Sequence, residues 1–136
     1  MTEILVPRDV EADVLGALSR YGVDASTIVP ADAGAGTVRV SRTGGDLVAS
    51  NQRDLAEMLV EVWEQDSVSA FDSAIRIYGA LTDCGLKGLI LPGVAVHSMD
   101  IVPPRSLDDP NRPDLYRVTI PFTFITDLTT LEVENV

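Results

Sequence analysis

The chain has 136 residues, one domain's worth of polypeptide, and its 46% hydrophobic and 23% charged residues exclude a wholly disordered chain. Lys and Arg total 10 against 21 Asp and Glu, and the net charge of -11 argues against a protein that clamps a nucleic-acid backbone with cations. The single cysteine, Cys84, excludes a module stapled by internal disulfides.

The N-terminal run Met-Thr-Glu-Ile-Leu-Val-Pro-Arg has no basic start, long apolar stretch or small-residue cleavage site, so no signal peptide is expected. The first helix is predicted from Asp9 to Tyr21. Val10, Val14, Leu18 and Tyr21 recur at helical spacing, Asp9 can cap the start, and Glu11 and Asp13 suit the positive end of the helix dipole. Gly22 supplies the stop, and the polar opposite face marks an amphipathic helix lying on a sheet. Residues 23–36 read as a loop with a short strand at Thr27–Val29. Gly34-Ala35-Gly36 leads into a strand rather than a helix, so it lacks the geometry of a phosphate-cradling loop.

Thr37 to Arg42 alternates, with Val38 and Val40 on one side, and reads as a half-buried strand. Thr43-Gly44-Gly45-Asp46 predicts a tight hairpin turn, with Leu47-Val48-Ala49 as the returning strand. Leu55 to Glu64 fits both periods; its β-branched residues and the fresh helix signal after it favour a strand, with Ala56, Met58, Val60 and Val62 on one face. Asp66 and Ser67 open the second helix. Ala70, Phe71, Ala74, Ile75, Tyr78 and Leu81 fall on its packed face through about Asp83, and Gly85 closes it. The longest apolar segment, Gly88 to Val96, is broken by Pro92 and Gly93 and falls well short of the ~18 residues of a membrane span.

Val94 to Val102 reads as a strand with Val94, Val96, Ser98, Asp100 and Val102 on one side and Ala95, His97, Met99 and Ile101 on the other. Residues 103–114 form a 12-residue connection with four prolines, a length that marks a functional or disordered loop. Its Asp108, Asp109, Asn111 and Asp114 lack the spacing and turn glycine of a calcium loop and read as a solvated acidic loop. Tyr116, Val118, Ile120, Phe122 and Phe124 form a second period-2 face. Pro121 inside that run predicts a sheet edge, a bulge or a bend. Thr126 to Val136 reads as an acidic tail.

Few residues offer chemistry. His97 stands alone, so no two-histidine metal face exists, and its strand position indicates a packing or surface role. Cys84 near a helix end reads as a small buried residue. Nothing resembles a serine nucleophile elbow or a phosphate-binding glycine loop. No catalytic residue, metal or cofactor is predicted, and no enzymatic activity is expected. The expected architecture is a single α+β domain over 1–136: a mixed, mostly antiparallel sheet of about four to five strands with two main helices packed on it. Loop 103–114 and tail 127–136 are its expected mobile parts.

The order of features carries a resemblance. Val38-Arg39-Val40-Ser41-Arg42-Thr43-Gly44-Gly45, the apolar stretch ending in Val62-Trp63, the helix from Asp66, and the Asp109-Pro110 approach to Leu115-Tyr116-Arg117-Val118-Thr119-Ile120 follow one another over residues 9–125. This pattern resembles the tail terminator family of long-tailed bacteriophages, in the form common among actinobacterial phages. The resemblance implies a small α/β subunit of a homo-hexameric ring on the head-proximal end of the tail tube. Such a ring ends tube polymerisation and meets the head–tail connector protein, and DNA passes through its opening without specific binding. It also implies a virion location, assembly in the host cytoplasm and no membrane. Ring contacts are heterologous, with one patch meeting a different patch on the neighbour. The candidate contact residues are Arg39 and Arg42 beside the glycine pair, and Arg105, Arg112 and Arg117 around the long loop, because a guanidinium can bind a neighbour's carboxylate with two hydrogen bonds. A head-completion or connector protein of the same phage axis, and a small ligand-binding α+β domain, are the alternatives.

Overall fold

The computed structural model describes residues 1–134. The chain runs β1 (Thr2–Val6), α1 (Val10–Arg20), β2 (Thr37–Val48), β3 (Arg53–Glu64), α2 (Ser67–Lys87), β4 (Leu89–Leu91), β5 (Val94–Ile101), β6 (Arg105–Ser106), β7 (Tyr116–Asp127) and β8 (Thr129–Val133). The main sheet has six strands in the order β2-β3-β7-β5-β4, with β6 also on β7; β1 and β8 form a separate two-stranded ribbon. The α+β reading holds with more strands than expected. All strand pairs are antiparallel, and the only parallel contact among the described residues is the bridge Ser26–Arg39, so Thr27–Val29 forms no strand.

Register explains the layers. Val38, Val40, Met58, Val60, Val62, Val118, Ile120, Phe122 and Phe124 share one face of β2-β3-β7 and form the core under the helices. Each large side chain buried there contributes about 1.5–3 kcal/mol. Helix α1 starts at the Asp9 cap, whose carboxylate accepts the Ala12 N–H, and packs on β2 and β4. Helix α2 starts at the Asp66 cap and runs through Gly85 to Lys87, ending at Gly88, whose φ of 70° is the left-handed conformation that glycine adopts freely. Its buried stripe is Ala70, Ala74, Ile77, Ala80, Leu81 and Cys84. Phe71 and Ile75, expected on the packed face, are exposed, because the stripe facing the sheet is the adjacent one built on small side chains.

The glycine pair does not turn the chain. β2 continues through it as one strand, with a register shift between Arg42 and Gly44, and pairs with β3 all the way to Val48–Arg53. The turn is made by Ala49, Ser50 and Asn51, each with φ between 52° and 63°. Gly45 has φ 133°, and a Cβ there would lie 2.1 Å from the Leu55 carbonyl oxygen. The strand therefore bulges at Thr43, just before the pair, and Gly45 is the position that only glycine fits. A second shift, between Val96 and Ser98, lets Val94 and Val96 and then Met99 and Ile101 all pack on the core, so β5 does not keep the simple alternation.

Pro121 sits in the central strand, opposite Leu59, rather than at an edge or bend. Its carbonyl accepts the Val102 N–H from the side away from β3, so its nitrogen faces that side too. There β5 has ended and β6 has not begun, and no ladder bond to β3 is lost. The segment read as a tail is a strand through Val133; Asn135 and Val136 lie outside the described residues.

Candidate assembly surfaces

The sheet face away from the helices alternates apolar rows, Leu55 with Ile125 and Leu59 with Pro121, with polar ones, and the loop 103–114 lies partly over it. Glu61 is its centre: a carboxylate only 3% exposed, placed on β3 directly opposite Arg39 of β2. Arg39 Nε donates to Glu61 Oε1 at 2.8 Å, and its Nη2 donates to the same oxygen. Arg117 Nη1 donates to the other oxygen, Oε2, at 3.2 Å. Arg117 also donates to the Leu107 and Asp108 carbonyls, which pins the start of the loop. Two cations on one buried carboxylate is the arrangement that desolvation requires.

Trp63 lies beside this group and is buried. Its indole N–H donates to Asp109 at 2.9 Å, and the Arg39 and Arg112 guanidinium carbons lie 6.0 and 5.5 Å from its ring centroid. Arg112 also donates to the Pro30 carbonyl and forms a 3.5 Å ion pair with Asp109, while its Nε is buried without an acceptor among the described residues. Asp109 is thus a buried anchor and not a solvated loop acid. Burial works to raise its pKa. The Asn111 and Trp63 N–H donors and the charges of Arg117 and Arg112 outweigh that and hold it below the usual carboxylate range.

Arg42 lies elsewhere, at the bulge. Its two terminal nitrogens donate to both oxygens of the fully buried Asp54 at 2.6 and 2.7 Å, and its Nε donates to the Gly44 carbonyl. The structure therefore brings Arg39, Arg112 and Arg117 together around Glu61 and Trp63, places Arg42 with Asp54, and leaves Arg105 exposed on β6. Arg20, Arg76 and Arg105 are the cationic side chains without a carboxylate within 4.0 Å among the described residues.

Sequence reasoning missed two apolar surfaces. Val68, Phe71 and Ile75, spaced three and four residues apart, are 74%, 54% and 40% exposed on the outer side of α2. The β1–β8 ribbon exposes Ile4, Leu5 and Leu131, and none of its residues joins the core. The α2 surface was legible as a second apolar stripe; the ribbon pairs opposite ends of the chain and leaves no local signal.

Elsewhere the chemistry is sparse. His97 Nε2 lies 2.7 Å from Asp127. Cys84 is buried, and burial pushes its thiol pKa up. No group of three or more His, Cys, Asp and Glu among the described residues is arranged to hold a metal. A surface groove of about 440 Å³ lies against the long loop, lined by residues that include Asp108, Pro110, Pro113 and Tyr116. No helix is long and apolar enough to cross a membrane.

No family model matches the chain, and no curated protein matches it. Among solved structures, a chain from the virion of a native gene transfer agent particle is similar over 84% of this chain and 84% of its own, at 16% identity and a TM-score of 0.48.

Proposed function

We propose that this chain is a virion assembly protein, a tail terminator that forms a hexameric ring on the head-proximal end of a phage tail tube. The ring stops tube growth, meets the head–tail connector, and lets DNA through an opening it does not grip. The supporting observation is the convergence of the two segments that carry the sequence resemblance. Arg39 from the first and Arg117 from the second share Glu61, and Asp109 from the second holds Trp63. Those motifs together form one braced outer face, as a subunit that must keep its shape between neighbours requires. The work is surface matching, with no bond-making step. The net charge of -11 suits an opening that repels phosphates, since a basic one would hold the duplex.

The uncovered surfaces suit heterologous contacts. The α2 stripe, the terminal ribbon and Arg105 lie on different parts of the subunit, and a ring joins unlike patches. The test is to add purified chain to growing tail tubes. A terminator caps one end and arrests elongation. Binding to portal-filled heads without tube arrest would instead assign the connector role, and a thermal shift with one member of a metabolite panel would favour the ligand-binding alternative.

A further inference from the structure

We propose that the β1–β8 ribbon of one copy docks on a second copy of this chain at Arg105 and Leu107, giving a head-to-tail contact; this rests on the ring reading above. The ribbon joins neither the main sheet nor the core, and a two-stranded pair is marginal in water unless something covers it. One of its faces is set by the register: Glu3 stands directly opposite Glu132, and Leu5 opposite Thr130. Like charges directly opposite one another are unfavourable, and neither glutamate has a cation within 4.0 Å among the described residues. Leu5, two residues along β1 on the same face, is 50% exposed.

The complementary surface is on the same chain. Arg105 is exposed and has no carboxylate partner among the described residues, and Leu107, two residues on, is 45% exposed. One guanidinium has enough donors to bridge two carboxylates. The other two cationic side chains without a partner have local electrostatic roles: Arg20 offsets the dipole at the end of α1, and Arg76 follows Asp72 by one turn of α2. Within one chain neither glutamate lies within 4.0 Å of Arg105. Arg105 pairs with Thr119, eight residues before the Asp127 end of β7 from which the ribbon departs. That is about 27 Å along a strand. The glutamates of one copy therefore reach the arginine of another, and repetition of such a contact closes a ring or grows a filament.

Charge reversal tests it. Full-length chain with Arg105→Glu, chain with Glu3→Arg and Glu132→Arg, and chain with all three are compared by sedimentation and by ring formation on tubes. Each partial reversal should weaken self-association roughly tenfold or more, the penalty of like charges across an interface, and the triple variant should recover most of it. Melting curves confirm that each variant folds. Leu5→Cys with Leu107→Cys should oxidise to a ladder of covalent multimers, while either single variant gives no disulfide-linked species. Disulfide-linked dimers from a single variant, or a wild-type chain that neither associates nor gives a ladder when paired cysteines are added, would overturn the contact. Rings that form equally with and without the reversals overturn it and leave the ring reading standing. A ladder without tube capping keeps the contact and removes that reading.

Discussion

Trp63 donates its indole N–H to Asp109 across 46 residues of sequence, and both groups are buried. This bond fastens the proline-rich loop to the sheet. Removing the acceptor strands a buried donor, which costs about 1–3 kcal/mol. Asp109→Ala should lower stability by that amount, expose Trp63 to solvent in its fluorescence, and speed amide exchange across residues 107–115.

The same carboxylate carries a pH dependence. Its folded pKa lies below the ordinary value, so its contribution is complete above that ordinary value and fades as pH falls through the folded one. The stability difference between wild type and Asp109→Asn should stay constant from neutral pH to about pH 5 and shrink below about pH 4. Chemical denaturation at a series of pH values measures it; a difference that grows on acidification would contradict the assignment.

Arg42 and Asp54 make a two-hydrogen-bond pair of unequal burial, with side chains 28% and 1% exposed. Replacing the arginine leaves a buried carboxylate alone, whereas replacing the aspartate leaves a guanidinium that still reaches water. Arg42→Met should therefore cost about 3–5 kcal/mol, and Asp54→Asn distinctly less. Equilibrium unfolding of both variants checks the order.

Gly45 is fixed by geometry. A side chain there would meet the Leu55 carbonyl oxygen and the Arg42 guanidinium. Gly45→Ala should destabilise by about 1–3 kcal/mol from backbone strain. Gly34→Ala, with open space around the position, should change stability by less than about 0.5 kcal/mol.

Phe71 separates folding from assembly. More than half exposed, it adds little to the core, so Phe71→Ser should leave stability within about 0.5 kcal/mol. Tube capping by that variant should fall if the α2 stripe contacts the tube or a neighbour. Parallel melting and elongation assays measure the two effects.

Local patterning made much of the core legible. The alternation in β3 and β7 identified Met58, Val60, Ile120 and Phe122, and the caps and periodicity located both helices within a few residues. The α2 face was harder. Ala70, Ala74 and Leu81 were placed correctly on the packed face, but the larger Phe71 and Ile75 widened it to one side, and Ile77 and Cys84 on the other side were missed. Gly44-Gly45 matched a hairpin turn in composition, while the chain turned on three non-glycine residues in left-handed conformation. The long register of β2 on β3, which runs on to Val48–Arg53, places the turn beyond the glycine pair. The five arginines were read as contacts to a neighbouring copy, whereas Arg39, Arg42, Arg112 and Arg117 each hold a carboxylate of their own chain. Asp109 read as a solvated loop acid because burial of a charge depends on cations brought from elsewhere. One clue was available: a lone tryptophan on the outward register of a strand needs an acceptor for its N–H.

Electron microscopy of assembled particles that carry this chain tests the ring directly. Density for the fold should occupy a hexameric ring at the head-proximal end of the tail tube. Particles whose head–tail junction lacks the chain, or mature virions without it, would contradict the terminator role.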